Sequence, residues 1–205
     1  MKKHFIWNIA LEAKEEPLPP LLDERDMLRW EARYFFTEDE EILLHGLDEQ
    51  FLKISNYTVK HREDCYVLLD DYSFNIKYRR QALLYKPVLQ KTDLLLGYGK
   101  KINLKECPHD ECLPGTANMT AGTLLTQIQQ NPKEITVSKD ALIYKFLSNP
   151  SIKLELARLV IPTRIDYSVC IEGRSKTLVT RLAKHLLKNR LSCDYVSFLK
   201  QTLRA

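Results

Sequence analysis

Charged residues recur at every second position inside segments that otherwise read as buried β-strands. Arg29, Glu31 and Arg33 alternate with Trp30, Ala32 and Tyr34, while Lys77 and Arg79 alternate with Ile76 and Tyr78. Asp166, Ser168, Cys170 and Glu172 alternate in the same way with Ile165, Tyr167, Val169 and Ile171. Successive side chains on a strand point to opposite faces, so each segment carries one apolar face and one charged or polar face. For any single residue the polar face is ordinarily solvent. If the charged faces converge they enclose a polar cavity, whose lining must be satisfied by water or ligand. A polyanion, with or without a metal, suits it.

A chain of 205 residues with 44% hydrophobic and 28% charged content can bury a core. Its 31 Lys+Arg against 27 Asp+Glu leave +4, too mild an excess to argue for nucleic acid by bulk charge. No apolar run approaches the roughly 20 residues needed to span a bilayer, and Met1 to Leu11 has too short an apolar stretch for a secretory signal. The expectation is a cytoplasmic protein with no membrane partner. The five cysteines, odd in number and sparse, are expected as free thiols.

Residues 1–26 read as an N-terminal extension, with a strand-like piece from His4 to Leu11 and a proline-broken connector containing Pro17, Pro19 and Pro20. The main domain, 27–205, opens with a strand from Met27 to Phe36. Thr37 and the acidic Glu38 to Glu40 then predict a helix running to about Ser55, with Ile42, Leu43, Leu47, Phe51 and Leu52 at helical spacing. Short antiparallel strands are expected at Tyr57 to His61, Cys65 to Leu69, Asn75 to Gln81, Leu83 to Leu89 and Leu94 to Leu104. A helix from Thr116 to Gln130, ended by Asn131 and Pro132, precedes a short strand at Ile135 to Ser138. Two strands around Pro162, an amphipathic helix capped by Ser175, and a last helix from Asp194 to Leu203 complete the chain.

In order along the sequence stand Glu31-Ala32-Arg33-Tyr34-Phe35, Asp64-Cys65-Tyr66, Lys77-Tyr78-Arg79, Leu84-Tyr85-Lys86, Lys139, Leu154-Glu155-Leu156-Ala157, Ser168-Val169-Cys170-Ile171-Glu172-Gly173 and Asp194-Tyr195-Val196-Ser197-Phe198-Leu199. This series resembles the CYTH family, the triphosphate tunnel metalloenzymes that include thiamine triphosphatase, class IV adenylate cyclase and bacterial tripolyphosphatases. The resemblance covers most of the chain from Met27 and rests on the order of the pieces, since no single piece is specific. It implies an α+β fold, an antiparallel β-barrel or tunnel of about eight strands with flanking helices. Inward basic residues then bind a triphosphate or polyphosphate, and inward carboxylates bind Mg²⁺ or Mn²⁺.

The resemblance places Arg33, Lys77, Arg79, Lys86 and Lys139 on phosphate. It makes Glu31, Glu155 and Glu172 both the metal ligands and the catalytic carboxylates, acting on inorganic, nucleoside or thiamine triphosphate. Phosphoryl transfer asks for that division of labour, because phosphate oxygens need neutralising while a metal bridges them and a water is positioned. One departure stands out. The family's E-x-E-x-K corresponds here to Arg29-Trp30-Glu31-Ala32-Arg33, with arginine at the first glutamate. That substitution lowers the negative charge available to a cation and supports an alternative, a non-catalytic binder of polyphosphate or a phosphorylated ligand.

Other motifs are weaker. Cys107-Pro108-His109-Asp110-Glu111-Cys112 lacks a second pair at zinc-site spacing and reads as a loop. Gly97-Tyr98-Gly99-Lys100-Lys101 lacks phosphate-loop spacing and reads as a strand bend. His185 reads as a surface or core-edge residue.

Overall fold

The structure is a computed structural model that describes residues 2–12, 18, 20–130, 133–188 and 190–204. It begins with a hairpin of β1 (Lys2–Ile6) and β2 (Ile9–Glu12), followed by β3 (Arg29–Thr37) and β4 (Ile42–His45). Then come β5 (Thr58–Leu69), β6 (Tyr72–Arg79), β7 (Ala82–Lys86), β8 (Val88–Lys91), β9 (Leu96–Tyr98) and β10 (Ile102–Asn103). Helix α1 (Ala121–Gln130) leads to β11 (Lys133–Lys145), β12 (Ile152–Ile161) and β13 (Arg164–Gly173), and the chain closes with α2 (Lys176–Leu187) and α3 (Tyr195–Thr202).

Ten strands form one antiparallel sheet in the order β10-β7-β6-β5-β11-β12-β13-β3-β9-β8. The sheet is curled into a tunnel-like α+β architecture, and two observations fix the curl. β7 and β8 lie towards opposite ends of the ladder, yet only Pro87 separates them in sequence. In addition, Lys86 on β7 reaches Glu31 on β3 at 2.8 Å. Six strand spacings would part those two strands by about 29 Å in a flat sheet, so the ends of the sheet must turn towards each other.

Curling gives every strand an inner and an outer face. Trp30, Ala32, Tyr34 and Phe36 of β3 point outward into a core with Leu178, Leu182 and Leu186 of α2 and with Ile9, Leu11, Ile42 and Leu44 of the small sheet β1-β2-β4. A second outer cluster packs Leu124 and Ile128 of α1 on Ile76, Leu83 and Tyr85. Part of the inner face is also apolar. Tyr66, Ile135, Val137, Ala157 and Leu159 meet Tyr195, Phe198 and Leu199 of α3, with the Phe35 and Phe198 rings stacked at a centroid distance of 3.8 Å. Helix α3 thus fills the apolar portion of the inner face and leaves the charged portion as the site.

Several expected elements differ. No helix forms between Thr37 and Ser55; the chain makes β4 and two short 3-10 turns, Glu49–Leu52 and Ile54–Asn56. The alternation of buried Ile42 and Leu44 with half-buried Leu43 and His45 lets β4 pair in parallel with β2. Gly46, at φ +72°, then breaks the chain, and the Asp48 side chain caps the following turn by accepting from Gln50 N. The expected pieces Tyr57 to His61 and Cys65 to Leu69 are one strand, β5. The short strand at Ile135 is the 13-residue β11, because β5 and β12 pair with it on both sides along most of its length. The first long helix, α1, starts at Ala121 rather than Thr116; Asn131 and Pro132, its expected stop, lie outside the described residues. Ten strands replace the eight or so expected. The two strands around Pro162 and the Ser175 cap of α2, which accepts from Leu178 N, fall where expected; α3 forms within the expected Asp194 to Leu203, with Asp194 as its cap accepting from Ser197 N.

Candidate polyanion site in the tunnel

Register decides which charges meet. Cys170 sits opposite Arg33 and Glu155, Glu172 opposite Glu31 and Lys153, and Lys139 opposite Arg62. Opposed residues of an antiparallel pair share a face, so Glu31 and Arg33 of β3, Glu172 of β13, Lys153 and Glu155 of β12, Lys139 of β11 and Asp64 of β5 line the tunnel, while Asp140, Arg158 and His61 meet on the outer face. Lys77 and Arg79 join them from β6, the strand next to β5, and Lys86 of β7 reaches β3 from across the curl.

At the centre lies Arg33, which is nearly inaccessible. Its Nε donates to Glu31 at 2.9 Å, and one terminal nitrogen donates to Glu155 and to the Ser168 hydroxyl, each at 3.3 Å. Lys86 donates to the second oxygen of Glu31 at 2.8 Å, and Lys139 donates to Glu155 at 2.9 Å. A second group centres on Asp64, which accepts from Lys77 at 2.9 Å and from two nitrogens of Arg79 at 2.5 and 2.6 Å. Aromatic rings separate and brace the two groups. Tyr66 and Tyr195 stack at 4.7 Å, with the Arg33 guanidinium 5.3 Å from the Tyr195 ring centre and the Lys77 ammonium 4.9 Å from that of Tyr66. The Lys86 ammonium lies 3.4 Å from the centre of the Tyr98 ring.

All five residues expected on phosphate therefore come together on one lining. Two of the three expected carboxylates, Glu31 and Glu155, lie among them. Glu172 sits apart towards a tunnel mouth, 3.3 Å from Arg29 and 3.8 Å from Lys153. Asp64 stands in the series as Asp64-Cys65-Tyr66 but carries no site role there, although its place two residues before Tyr66 on a strand that faces K-x-R is a usable signal. Lys153 was missed too, because a lysine beside the apolar run Leu154 to Ala157 reads as an edge charge.

The electrostatics follow from burial. Burial works to raise the pKa of Glu31, but the charges of Lys86 and Arg33 outweigh it and hold the carboxyl well below the usual range. The same balance holds Glu155 at about 2 through Lys139 and Arg33, and Asp64 at about 2 through Arg79 and Lys77. Lys77 moves the other way. Burial, with help from Arg79 and Lys139, brings its ammonium down to about 7 against the pull of Asp64. The Cys170 thiol is pushed up by burial and stays neutral between the charges.

Three carboxylates thus face five cations in the two groups. The lining holds a surplus of positive charge and no carboxylate free of a cationic partner. This set does not fit a divalent ion. The Arg33 guanidinium already bridges Glu31 and Glu155, where a metal ligated by both would have to sit, and Arg29 with Lys153 takes Glu172. Among the described residues no three His, Cys, Asp or Glu side chains group at metal-holding distance. The sequence-level reading of Arg29 as a substitution against metal binding acquires a mechanism here, since the arginine neutralises the remaining carboxylate of that strand pair.

No protein-family model matches the sequence, and no curated protein does. Among solved structures the chain is similar to a putative adenylate cyclase from Bacillus halodurans, at 12% identity and a TM-score of 0.40, over 80% of this chain and 93% of that one. That likeness is too distant to carry a functional conclusion, and the tunnel is established by chain path and ion-pair geometry instead.

Proposed function

We propose that the tunnel binds a triphosphate or polyphosphate, or a similarly phosphorylated small molecule, without a divalent metal. The observation that carries this reading is the surplus of buried and half-buried cations on one concave lining: Arg33, Lys77, Arg79, Lys86 and Lys139 against Glu31, Asp64 and Glu155. A buried cation surplus is unfavourable unless an anion offsets it. Arginine supplies planar forks and lysine supplies point charges, a mixture suited to a chain of phosphate oxygens.

Binding proceeds by exchange of partners. Phosphate oxygens take the donors that Glu31, Asp64 and Glu155 hold in the structure, and the carboxylates shift towards one another's remaining cations. The Ser168 hydroxyl, 3.3 Å from Arg33, is a neutral donor within reach of the same oxygens. The CYTH resemblance supports the assignment because it places the same five residues on phosphate. Hydrolysis belongs to the same resemblance but lacks support from the carboxylates, each already committed to cations.

A thermal-shift panel of tripolyphosphate, ATP and thiamine triphosphate, in chelator and with Mg²⁺ or Mn²⁺, tests the reading together with phosphate release. A specific ligand at a hundred times its Kd stabilises the native state by about 2.7 kcal/mol. The expected result is stabilisation by at least tripolyphosphate in chelator, and phosphate release no greater than that of a Glu172→Gln control. Stabilisation that appears only with metal, or release well above the control, would restore the metal-dependent triphosphatase with Glu31, Glu155 and Glu172 as its ligands.

A further inference from the structure

Beyond the tunnel lining, a cavity of about 350 Å³ lies beside the mouth where Arg29 pairs with Glu172. Its walls carry five cationic side chains, Arg25, Arg29, Lys145, Lys153 and Arg174, against the single carboxylate of Glu172. Arg29, Lys153 and Glu172 form ion pairs there, and Arg174 donates to the Met27 carbonyl at 2.7 Å. Among the described residues Arg25 and Lys145 have no ion-pair partner. The wall thus carries five cations against one carboxylate, and Asp23 and Asp26 just outside it offset only part of that surplus.

The cavity is built rather than incidental. The segment after the proline-broken connector is strapped across this end of the sheet. Asp23 N donates to the Asn149 carbonyl and Asn149 N to the Leu21 carbonyl, each at 2.9 Å, and Asp26 N donates to the Arg174 carbonyl at 2.7 Å. The two nearby acids are turned to other work. Asp23 accepts from the Ser175 hydroxyl, and Asp26 accepts from Lys176 N at the start of α2. Arg25 is held between these two anchors, beside the cavity.

The cavity adjoins the tunnel lining through the β3–β13 pair. Glu172 lies on the same rung as Glu31, whose carboxylate holds Arg33 and Lys86. Four residues of β3 separate Arg33 from Arg29, about 13 Å at strand rise. A ligand that touches both ends of that path is longer than tripolyphosphate. No aromatic side chain lines the cavity, so it offers no platform on which a nucleobase would stack.

We propose that this vestibule is a second anion subsite that receives the protruding end of a linear polyanion, making long-chain polyphosphate the preferred ligand class over nucleoside triphosphate. The inference rests on the polyphosphate reading of the tunnel, and the two separate experimentally. Calorimetry would compare tripolyphosphate with long-chain polyphosphate on the wild type, on Arg25→Glu/Lys145→Glu and on Lys77→Ala. Both mouth residues are exposed, and thermal denaturation confirms that the double variant folds.

The expected result is tighter binding of the long chain by the wild type and a loss of about tenfold for it in the mouth variant, with tripolyphosphate changed by less than about twofold. Lys77→Ala should weaken both ligands. Equal affinity of the wild type for the two lengths, or an unchanged long-chain affinity in the mouth variant, overturns the vestibule and leaves the tunnel standing. Wild-type protein that binds neither ligand overturns both. ATP bound more tightly than long-chain polyphosphate overturns the preference.

Discussion

Replacing Glu155 with glutamine separates a counter-ion from a metal ligand, because the two roles give opposite signs. Glu155 is buried and accepts from Lys139 at 2.9 Å and Arg33 at 3.3 Å. Glu155→Gln keeps the shape but leaves two buried cations sharing fewer negative charges. Removing one partner of a buried ion pair destabilises by about 3–5 kcal/mol, and Ser168 with Glu31 can offset part of that, so the lower end of the range is expected in urea denaturation. The same substitution removes the group that competes with phosphate for Lys139 and Arg33. Tripolyphosphate affinity should therefore rise as stability falls.

The pH dependence follows from the carboxyl held at about 2. A carboxyl depressed in the folded state contributes stability above its unfolded pKa, and that contribution is lost as pH falls towards the folded value. The wild type should thus lose Glu155's share between about pH 5 and pH 2, and the glutamine variant should show a correspondingly shallower acid limb. Calorimetry in chelator and urea melts at several pH values measure both quantities. A variant that is fully stable but binds tripolyphosphate more weakly would refute the reasoning, for that is the behaviour of a carboxylate that helps hold the ligand.

Lys77 gives a second pH test. Because burial brings its ammonium down to about 7, an arriving phosphate favours the protonated form. Binding should then take up protons just above pH 7 and weaken as pH rises, with the uptake absent in Lys77→Arg; calorimetry in buffers of different ionisation enthalpy reads it, and equal uptake by the two proteins would rule Lys77 out. Phe198→Ala removes the ring stacked on Phe35 at 3.8 Å and should destabilise by about 3–5 kcal/mol, as measured by urea denaturation. A Cβ at Gly46 would lie 1.9 Å from His185 Nε2 on a backbone at φ +72°. Gly46→Ala should therefore destabilise by at least about 1–2 kcal/mol, partly recovered by a second substitution, His185→Ala, which removes the clash but not the backbone strain.

The inner face was legible because its charges alternate. In β3, β6 and β13 the period of two was strong enough to assign both the strand and the polar side. The segment from Ile42 to Leu52 misled for the converse reason: Ile42, Leu43, Leu47, Phe51 and Leu52 match a helical spacing, whereas Gly46 at positive φ and the pairing of β4 with β2 are decided by tertiary context. β11 was seen only at Ile135 to Ser138, since Lys139 and Asp140 interrupt the apolar pattern although Lys139 faces the tunnel. The five cations were each named from sequence, but their partners were not. Arg33 and Glu155 are 122 residues apart, and Asp64 meets Lys77 and Arg79 through the register of a hairpin. Which carboxylate neutralises which cation is set by strand register and, for Lys86 with Glu31, by the curl. That neutralisation is also the ground for proposing an anion site in place of the metal-dependent expectation.

The most direct test is a calorimetric titration of tripolyphosphate, in chelator, into the wild type and into Lys77→Ala/Arg79→Ala. Saturable binding to the wild type that falls by tenfold or more, about 1.4 kcal/mol, in the folded variant is the expected result. No binding to the wild type without metal, or identical affinity in both proteins, would contradict an anion site formed by these cations.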